Sequence, residues 1–207
     1  MIKLICYDLD GVLMTTCEIH YIALNKALKE VSNTVIDRTE HETVFNGLPT
    51  KNKLEILIKQ GRVKESDIQE IWDKKQTLTK EAINETSIPD EEKIQLHQFT
   101  YGLGIRSVCV TNSIRETATM MLDKTGQLPY MQFLISNEDV RNPKPHGEGY
   151  IRAMIKLGIM PNECLIVEDS EKGLKAAYST GAEVLKVAGP HETAKKVREW
   201  NLKISAI

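Results

Sequence analysis

Lys3-Leu4-Ile5-Cys6-Tyr7-Asp8-Leu9-Asp10-Gly11-Val12 runs from a short apolar segment straight into two acids and a glycine. A brief, nearly continuous run of apolar residues bounded by turn formers reads as a buried strand. Asp8 and Asp10 follow it with one residue between them, so their side chains leave an extended chain on the same face. Close carboxylates repel and call for a cation or a shared proton. A polar strand end with an Asp-Gly turn explains the same residues, so the pair decides nothing by itself.

Outward from this strand, similar runs appear at Ser107–Val110, Phe133–Ile135, Cys164–Val167 and Val184–Val187. Helical patterns separate these four. Arg115–Lys124 is the first, and Glu148–Leu157 repeats Ile151, Met154 and Ile155 before a terminating Gly158. Lys172–Thr180 ends in the same way at Gly181. Strands alternating with helices predict an α/β fold built on a Rossmann-like parallel sheet, in which ligands bind at the carboxyl ends of strands.

The gap from Tyr7 to Ser107 has no convincing strand. It carries three helical faces, marked by Ile19, Ala23 and Ala27, by Leu54, Leu57 and Ile58, and by Ile68, Ile71 and Trp72. This is too much chain for one crossover. Residues 15–85 therefore read as a helical domain inserted after the first strand, with 1–14 and 86–207 forming the sheet domain. Ile88–Gly104 returns to the sheet as a helix, flanked by loop signals at Pro89-Asp90 and Gly102-Leu103-Gly104.

Composition narrows the function classes. The 207 residues include 27 basic and 29 acidic ones, a formal net charge of -2. A nucleic-acid or membrane-surface partner normally goes with a basic excess, so neither is expected. The apolar run Ile2–Tyr7, broken by Lys3, is too short for a signal-peptide core or a membrane span. Cys6, Cys17, Cys109 and Cys164 form no C-x-x-C pair. They read as reduced thiols without a structural zinc site, in a cytoplasmic protein.

Three further strand ends carry polar groups. Thr111-Asn112-Ser113 offers a hydroxyl and backbone N–H groups that can hold a phosphate oxygen, although Asn112 or Ser113 would equally serve as a helix N-cap. Lys144 stands between Pro143 and Pro145, which stiffen its backbone, and a positioned ammonium can neutralise a phosphoryl group and a carboxylate together. A solvated lysine in a rigid loop is the plain alternative. Glu168-Asp169-Ser170 adds two acids that could converge with the first pair on a hard cation such as Mg2+, or could simply favour the following helix's dipole. Each feature is weak alone. In combination, four strand–loop units end in the groups that one phosphate site requires.

With these four motifs in order, the chain resembles the haloacid dehalogenase superfamily, in the subgroup whose helical cap is inserted after the first motif. Asn25, Gly173, Ala176, Ala177 and Gly181 look like the family as well. The resemblance implies that Asp8 is a nucleophile forming an aspartyl phosphate and that Asp10 is the general acid and then base. It implies that Mg2+ is bound by Asp8, the Asp10 backbone carbonyl and Asp169, with Glu168 direct or through water. The Thr111 hydroxyl and Asn112 N–H would bind the phosphate, and Lys144 would balance charge. An acid at Asp10 suits an alkoxide leaving group, which needs a proton, better than a halide, which does not. The transport ATPases of the family resemble Thr at that position.

The expected activity is that of a Mg2+-dependent phosphatase acting on a small phosphorylated metabolite. The alternative is a sugar-phosphate mutase resembling β-phosphoglucomutase, which His20 fits. Gly47-Leu48-Pro49-Thr50 lacks the arginine that such mutases carry in this part of the cap, and Thr15-Thr16-Cys17 replaces a common Asp-Ser pair. Lys51 and Lys53 could contact an anionic substrate, but a solvated helix face is the better reading. An aspartate-phosphorylated receiver module and a non-catalytic binding protein fit less well, since the acidic pair contains the acceptor and every catalytic residue type is present. Thr15–Glu85 holds 11 basic and 12 acidic residues, so attraction for a phosphate must come from local groups and Mg2+, which favours a small substrate over a polyanion. No residue there identifies the substrate, and oligomeric state is not legible.

Overall fold

The computed structural model describes the backbone of residues 1–205 and the side chains of residues 1–200. The chain separates into two compact units, one of Met1–Thr15 with Ile88–Ile207 and one of Thr16–Ser87.

The first unit is built on five parallel strands, β1 (Leu4–Tyr7), β2 (Arg106–Val110), β3 (Met131–Ile135), β4 (Cys164–Glu168) and β5 (Glu183–Lys186). They lie in the order β3-β2-β1-β4-β5, so the α/β reading of the sequence holds. The N-terminal strand is central because the chain first builds outward on one side of it and then returns to build on the other. The strand order reverses at β1 and β4, and such switch points form a crevice at the strands' carboxyl ends. Tyr7 pairs with Val167, and the Asp8 N–H donates to the Val167 carbonyl at 3.1 Å, which brings Asp8 alongside the end of β4.

All four residues of β1 are buried. On one face Leu4 and Cys6 join Val108, Val110, Cys164 and Ile166 against Tyr150, Ala153 and Met154 of a helix at Glu148–Leu157 and Ala176 and Ala177 of a helix at Glu171–Tyr178. Each large aliphatic side chain removed from water there contributes about 1.5–3 kcal/mol before chain entropy is counted. The Glu148–Leu157 helix corrects the face read from sequence. Ile151 and Ile155 are 37% and 74% exposed, while Gly149, Tyr150, Ala153 and Met154 are buried. Small residues at 149 and 153 let the helix lie close to the sheet; a Cβ on Gly149 would come within 2.8 Å of Val110 Cγ1. Gly158 terminates this helix in the left-handed region, with φ 64°.

The second unit is helical: α1 (Cys17–Ser32), α2 (Arg38–Glu40) running into a π-helical turn at His41–Phe45, α3 (Thr50–Lys59) and α4 (Ile68–Thr86). Leu24, Ala27, Leu28, Ile36, Phe45, Leu54, Leu57 and Ile71 form its core. Asn25 ties the loop after α1 to the helix, since its side chain donates to the Ile36 carbonyl at 2.9 Å and accepts the Ile36 N–H at 2.7 Å. The remaining helices of the first unit are α5 (Glu91–Gly102), α6 (Arg115–Lys124), α7 (Glu148–Leu157), α8 (Glu171–Tyr178) and α9 (Pro190–Ser205). Cys6, Cys109 and Cys164 are buried and Cys17 is exposed, all as thiols. Among the described residues no helix is long and apolar enough to cross a membrane.

Candidate active site

Lys144 ties the site together. Its ammonium donates to Asp8 Oδ1 and to Glu168 Oε1, both at 2.6 Å, and all three residues are buried. These groups reach one another from three strand ends: Asp8 follows β1, Glu168 is the last residue of β4, and Lys144 lies in the loop leading from β3 to α7. Glu168 thus belongs to the strand and does not merely follow it. Two residues beyond Ile166, its side chain leaves the strand on the face shared by Cys164 and Ile166, where it meets the lysine.

The loop around Lys144 is held from both sides. The Asn112 side chain pairs with the Lys144 backbone, and Glu148 at the start of α7 accepts the N–H groups of Arg141 and Asn142 at 3.0 and 2.9 Å. Those hydrogen bonds lower the Glu148 carboxyl to about 2. Asn112 and Ser113 do not cap α6. Its first residue, Arg115, donates its N–H to Glu138 at 2.5 Å.

Asp10 stands in a separate polar group. Its Oδ2 accepts the Ser113 hydroxyl at 2.8 Å and the Thr111 hydroxyl at 3.3 Å, and Thr111 Oγ1 accepts the Ser113 N–H at 3.0 Å. The strand-end hydroxyls read as phosphate ligands therefore also orient the Asp10 carboxylate. Ser113, read from sequence only as a possible helix N-cap, instead holds Asp10.

Electrostatically the site has an excess of negative charge. Burial pushes the Asp8 carboxyl well above the usual carboxylate range. Lys144 opposes that rise, while Glu168, Asp10 and Asp169 add to it. Burial and the charge of Glu168 lift Asp169 to about 6. For Lys144, burial disfavours the charged form, but Asp8 and Glu168 outweigh it and raise the ammonium above its ordinary value. One ammonium does not neutralise Asp8, Asp10, Glu168 and Asp169, and a divalent cation would relieve most of the negative charge that remains.

The donor set fits such a cation. Carboxylate oxygens of Asp8, Glu168 and Asp169 lie within 4.8 Å of one another. Asp169 Oδ1 is buried, with no hydrogen-bond partner among the described residues. An all-oxygen, mostly carboxylate set suits Mg2+ and similar hard ions. The Asp10 carboxylate is not part of this cluster; the resemblance assigns its backbone carbonyl instead. Two glycines make the room. Gly11, at φ +94°, lies so close to Asp169 that a Cβ would be 2.1 Å from Oδ2. A Cβ on Gly173 would be 2.0 Å from Glu168 Oε2.

Tyr150 is the residue that sequence reasoning missed. Its buried hydroxyl donates to Glu168 Oε1 at 2.5 Å, and its ring centroid is 4.9 Å from the Lys144 ammonium. The only local trace of this role was a tyrosine on an apolar helix face. In the helical unit, Lys75 Nζ lies 3.4 Å from His20 Nδ1. Lys51 is exposed, but Lys53 is buried and so does not belong to a solvated face; burial, helped by the charge of Lys53, lowers the neighbouring His41 to about 4.

A parallel α/β sheet with a helical insertion after its first strand, carrying acids and a lysine at adjacent strand ends, defines a class of hydrolytic fold. The family model for haloacid dehalogenase-like hydrolases matches residues 5–187, and the chain belongs to that family. It is 24% identical over 182 residues to a phosphorylated carbohydrates phosphatase of Thermotoga maritima, covering 86% of this chain and 82% of that protein. Its fold matches that of a β-phosphoglucomutase from Clostridium difficile with a TM-score of 0.79 and 21% identity, covering 98% of this chain and 100% of that one. CbbY from Rhodobacter sphaeroides, in complex with phosphate, matches with a TM-score of 0.82 and 22% identity over 91% of this chain and 87% of the other.

Proposed function

We propose that this hydrolase is a Mg2+-dependent phosphatase that hydrolyses a small phosphate monoester through an aspartyl phosphate on Asp8. The observation that carries this reading is the buried Lys144 ammonium bridging Asp8 and Glu168 beside the unpartnered Asp169 oxygen. Asp8, Asp169 and Glu168, with the Asp10 backbone carbonyl, would hold the cation. Bound there, Mg2+ supplies positive charge to the phosphoryl oxygens and to the crowded acids.

Asp8 attacks phosphorus with a carboxylate oxygen, forming the acyl-phosphate bond as the bond from phosphorus to the leaving oxygen breaks. Asp10, oriented by Ser113 and Thr111, gives its proton to that oxygen. A water then attacks the phosphoryl group, passes a proton to Asp10, and phosphate leaves with Asp8 regenerated. Lys144 compensates charge on Asp8 and the phosphoryl group throughout, and its fixed position avoids reorganisation in the transition state. Thr111 and the Asn112 N–H orient the phosphate.

The mutase alternative uses the same core and His20. The phosphatase name of the sequence relative and the missing cap arginine make hydrolysis the better supported reading. The test is phosphate release from an aryl phosphate and a panel of sugar phosphates. Release should require Mg2+, stop with EDTA and be lost in Asp8→Asn. Full activity in Asp8→Asn overturns the nucleophile, and phosphate exchange between sugar positions faster than release to water overturns hydrolysis in favour of the mutase.

A further inference from the structure

The two oxygens of Glu168 keep different company. Oε1 accepts from Lys144 at 2.6 Å and from the Tyr150 hydroxyl at 2.5 Å. Oε2 accepts the Asp169 N–H at 3.1 Å, with a longer contact of 3.5 Å from the Ser170 hydroxyl. The side chain is completely buried and lies over Gly173, so its carboxylate has little room to turn. Tyr150 is fixed just as firmly. Its ring packs in the core with Leu4, Cys6, Val108 and Ile166.

We propose that Tyr150 is a positioning residue for the divalent-cation site, fixing Glu168 by Oε1 so that Glu168 presents only Oε2 to the cation, directly or through water. The proposal rests on the cation-dependent reading of the site and adds a residue outside its four strand-end motifs.

A phenylalanine would fill the same core space, so packing alone does not account for the hydroxyl. A buried hydroxyl needs a partner, and here the partner is a charged carboxylate, which makes the bond short and strong. Burial, reinforced by the negative charge of Glu168, keeps the phenol protonated and therefore a donor. The ring meanwhile packs against the Lys144 ammonium, so one side chain restrains both groups that flank Asp8.

The consequence is selectivity as well as affinity. A carboxylate with both oxygens available can chelate, which suits Ca2+, with its six to eight ligands in flexible geometry. Mg2+ demands compact octahedral coordination. Occupying Oε1 with two donors denies Glu168 the chelating mode and biases the site towards the smaller ion. Without the hydroxyl, Oε1 keeps only Lys144, and the carboxylate is held less firmly in the orientation that keeps Oε1 from the cation.

The experiment measures Mn2+ binding to the full chain by electron paramagnetic resonance, with Mg2+ and Ca2+ as competitors, in the wild type and in Tyr150→Phe, whose retained ring preserves the core. Thermal melts check folding. Tyr150→Phe should weaken Mn2+ binding by about 10- to 100-fold, the usual effect of losing an outer-sphere hydrogen bond. It should also shift competition from Mg2+ towards Ca2+. A folded Tyr150→Phe with wild-type affinity and selectivity overturns the proposal alone. A wild type that binds no Mn2+ overturns the cation-site reading and the proposal with it. In a Glu168→Gln background, Tyr150→Phe should cause no further selectivity change; a further change means that Tyr150 does not act through Glu168.

Discussion

The side-chain amide of Asn112 brackets the backbone of Lys144. Asn112 Oδ1 accepts the Lys144 N–H at 3.0 Å and Nδ2 donates to the Lys144 carbonyl at 3.0 Å. The end of β2 thereby fixes the height at which the lysine enters the site.

Asn112→Ala should remove both restraints and leave the Lys144 side chain intact. Steady-state kinetics on an aryl phosphate should show kcat lowered by about 100-fold, the cost of a displacement of about 1 Å in a catalytic group. KM should change less. Asn112→Asp should be no better, because a carboxylate oxygen then faces the Lys144 carbonyl in place of the Nδ2 donor. An unchanged kcat in Asn112→Ala would show that the prolines and the Glu148 hydrogen bonds position Lys144 without Asn112.

Gly173→Ala places a methyl group 2.0 Å from Glu168 Oε2, which is closer than any real contact. Glu168 is held by Lys144 and Tyr150 and cannot move aside freely. Overpacking of this kind typically costs about 1–3 kcal/mol. The variant should melt several degrees lower and lose divalent-cation binding, measured by calorimetry of unfolding and by Mn2+ titration. Wild-type cation affinity would mean that α8, not Glu168, gives way.

Asp169 makes the metal-free chain sensitive to pH. Its folded-state value is raised from 3.8 to about 6. Between roughly pH 4 and 6 the unfolded chain has already released a proton that the folded chain still holds, so the group's contribution to stability is present at low pH and lost as pH rises through about 6. Above that pH, Mg2+ should raise Tm by binding the ionised folded site. Asp169→Asn should abolish this contribution to the pH slope in EDTA and most of the Mg2+-dependent rise. Melting curves from pH 4 to 8 with EDTA or Mg2+ provide the check; an equal Mg2+ response in Asp169→Asn removes Asp169 from the cation site.

His97 contributes with the opposite sign. It is buried on α5, its Nε2–H donates to Gln127 Oε1 at 3.1 Å, and burial with help from Lys93 lowers it to about 4. The unfolded histidine takes up a proton near pH 6.5 while the folded one does not, so this contribution is present above pH 6.5 and lost as pH falls towards 4. His97→Phe should be less stable at pH 7, because Gln127 loses its donor, yet should show a shallower loss of stability on acidification. Chemical denaturation at pH 7 and pH 5 compares the two slopes.

The strand ends were readable because they are local. A short apolar run followed by Asp8 and Asp10 fixes both the strand and the acids' position, since each depends only on chain direction and side-chain alternation. The exact bounds of α6 and α7, Arg115–Lys124 and Glu148–Leu157, follow from the same kind of local periodicity. The buried face of α7 was misread because Ile151 and Ile155 are more apolar than Gly149 and Ala153, yet the smaller pair permits close contact with the sheet.

By itself, then, the order of residues determined which chemical groups end which strands, and so the α/β class and the acid–lysine set. What those groups touch was decided by the folded chain. Tyr150 meets Glu168 across 18 residues, Asn112 meets Lys144 across 32, and Ser113 meets Asp10 across 103. Such contacts depend on the strand order β3-β2-β1-β4-β5, which places distant strand ends side by side. No local propensity encodes that adjacency, because it arises from burying both faces of one sheet at once.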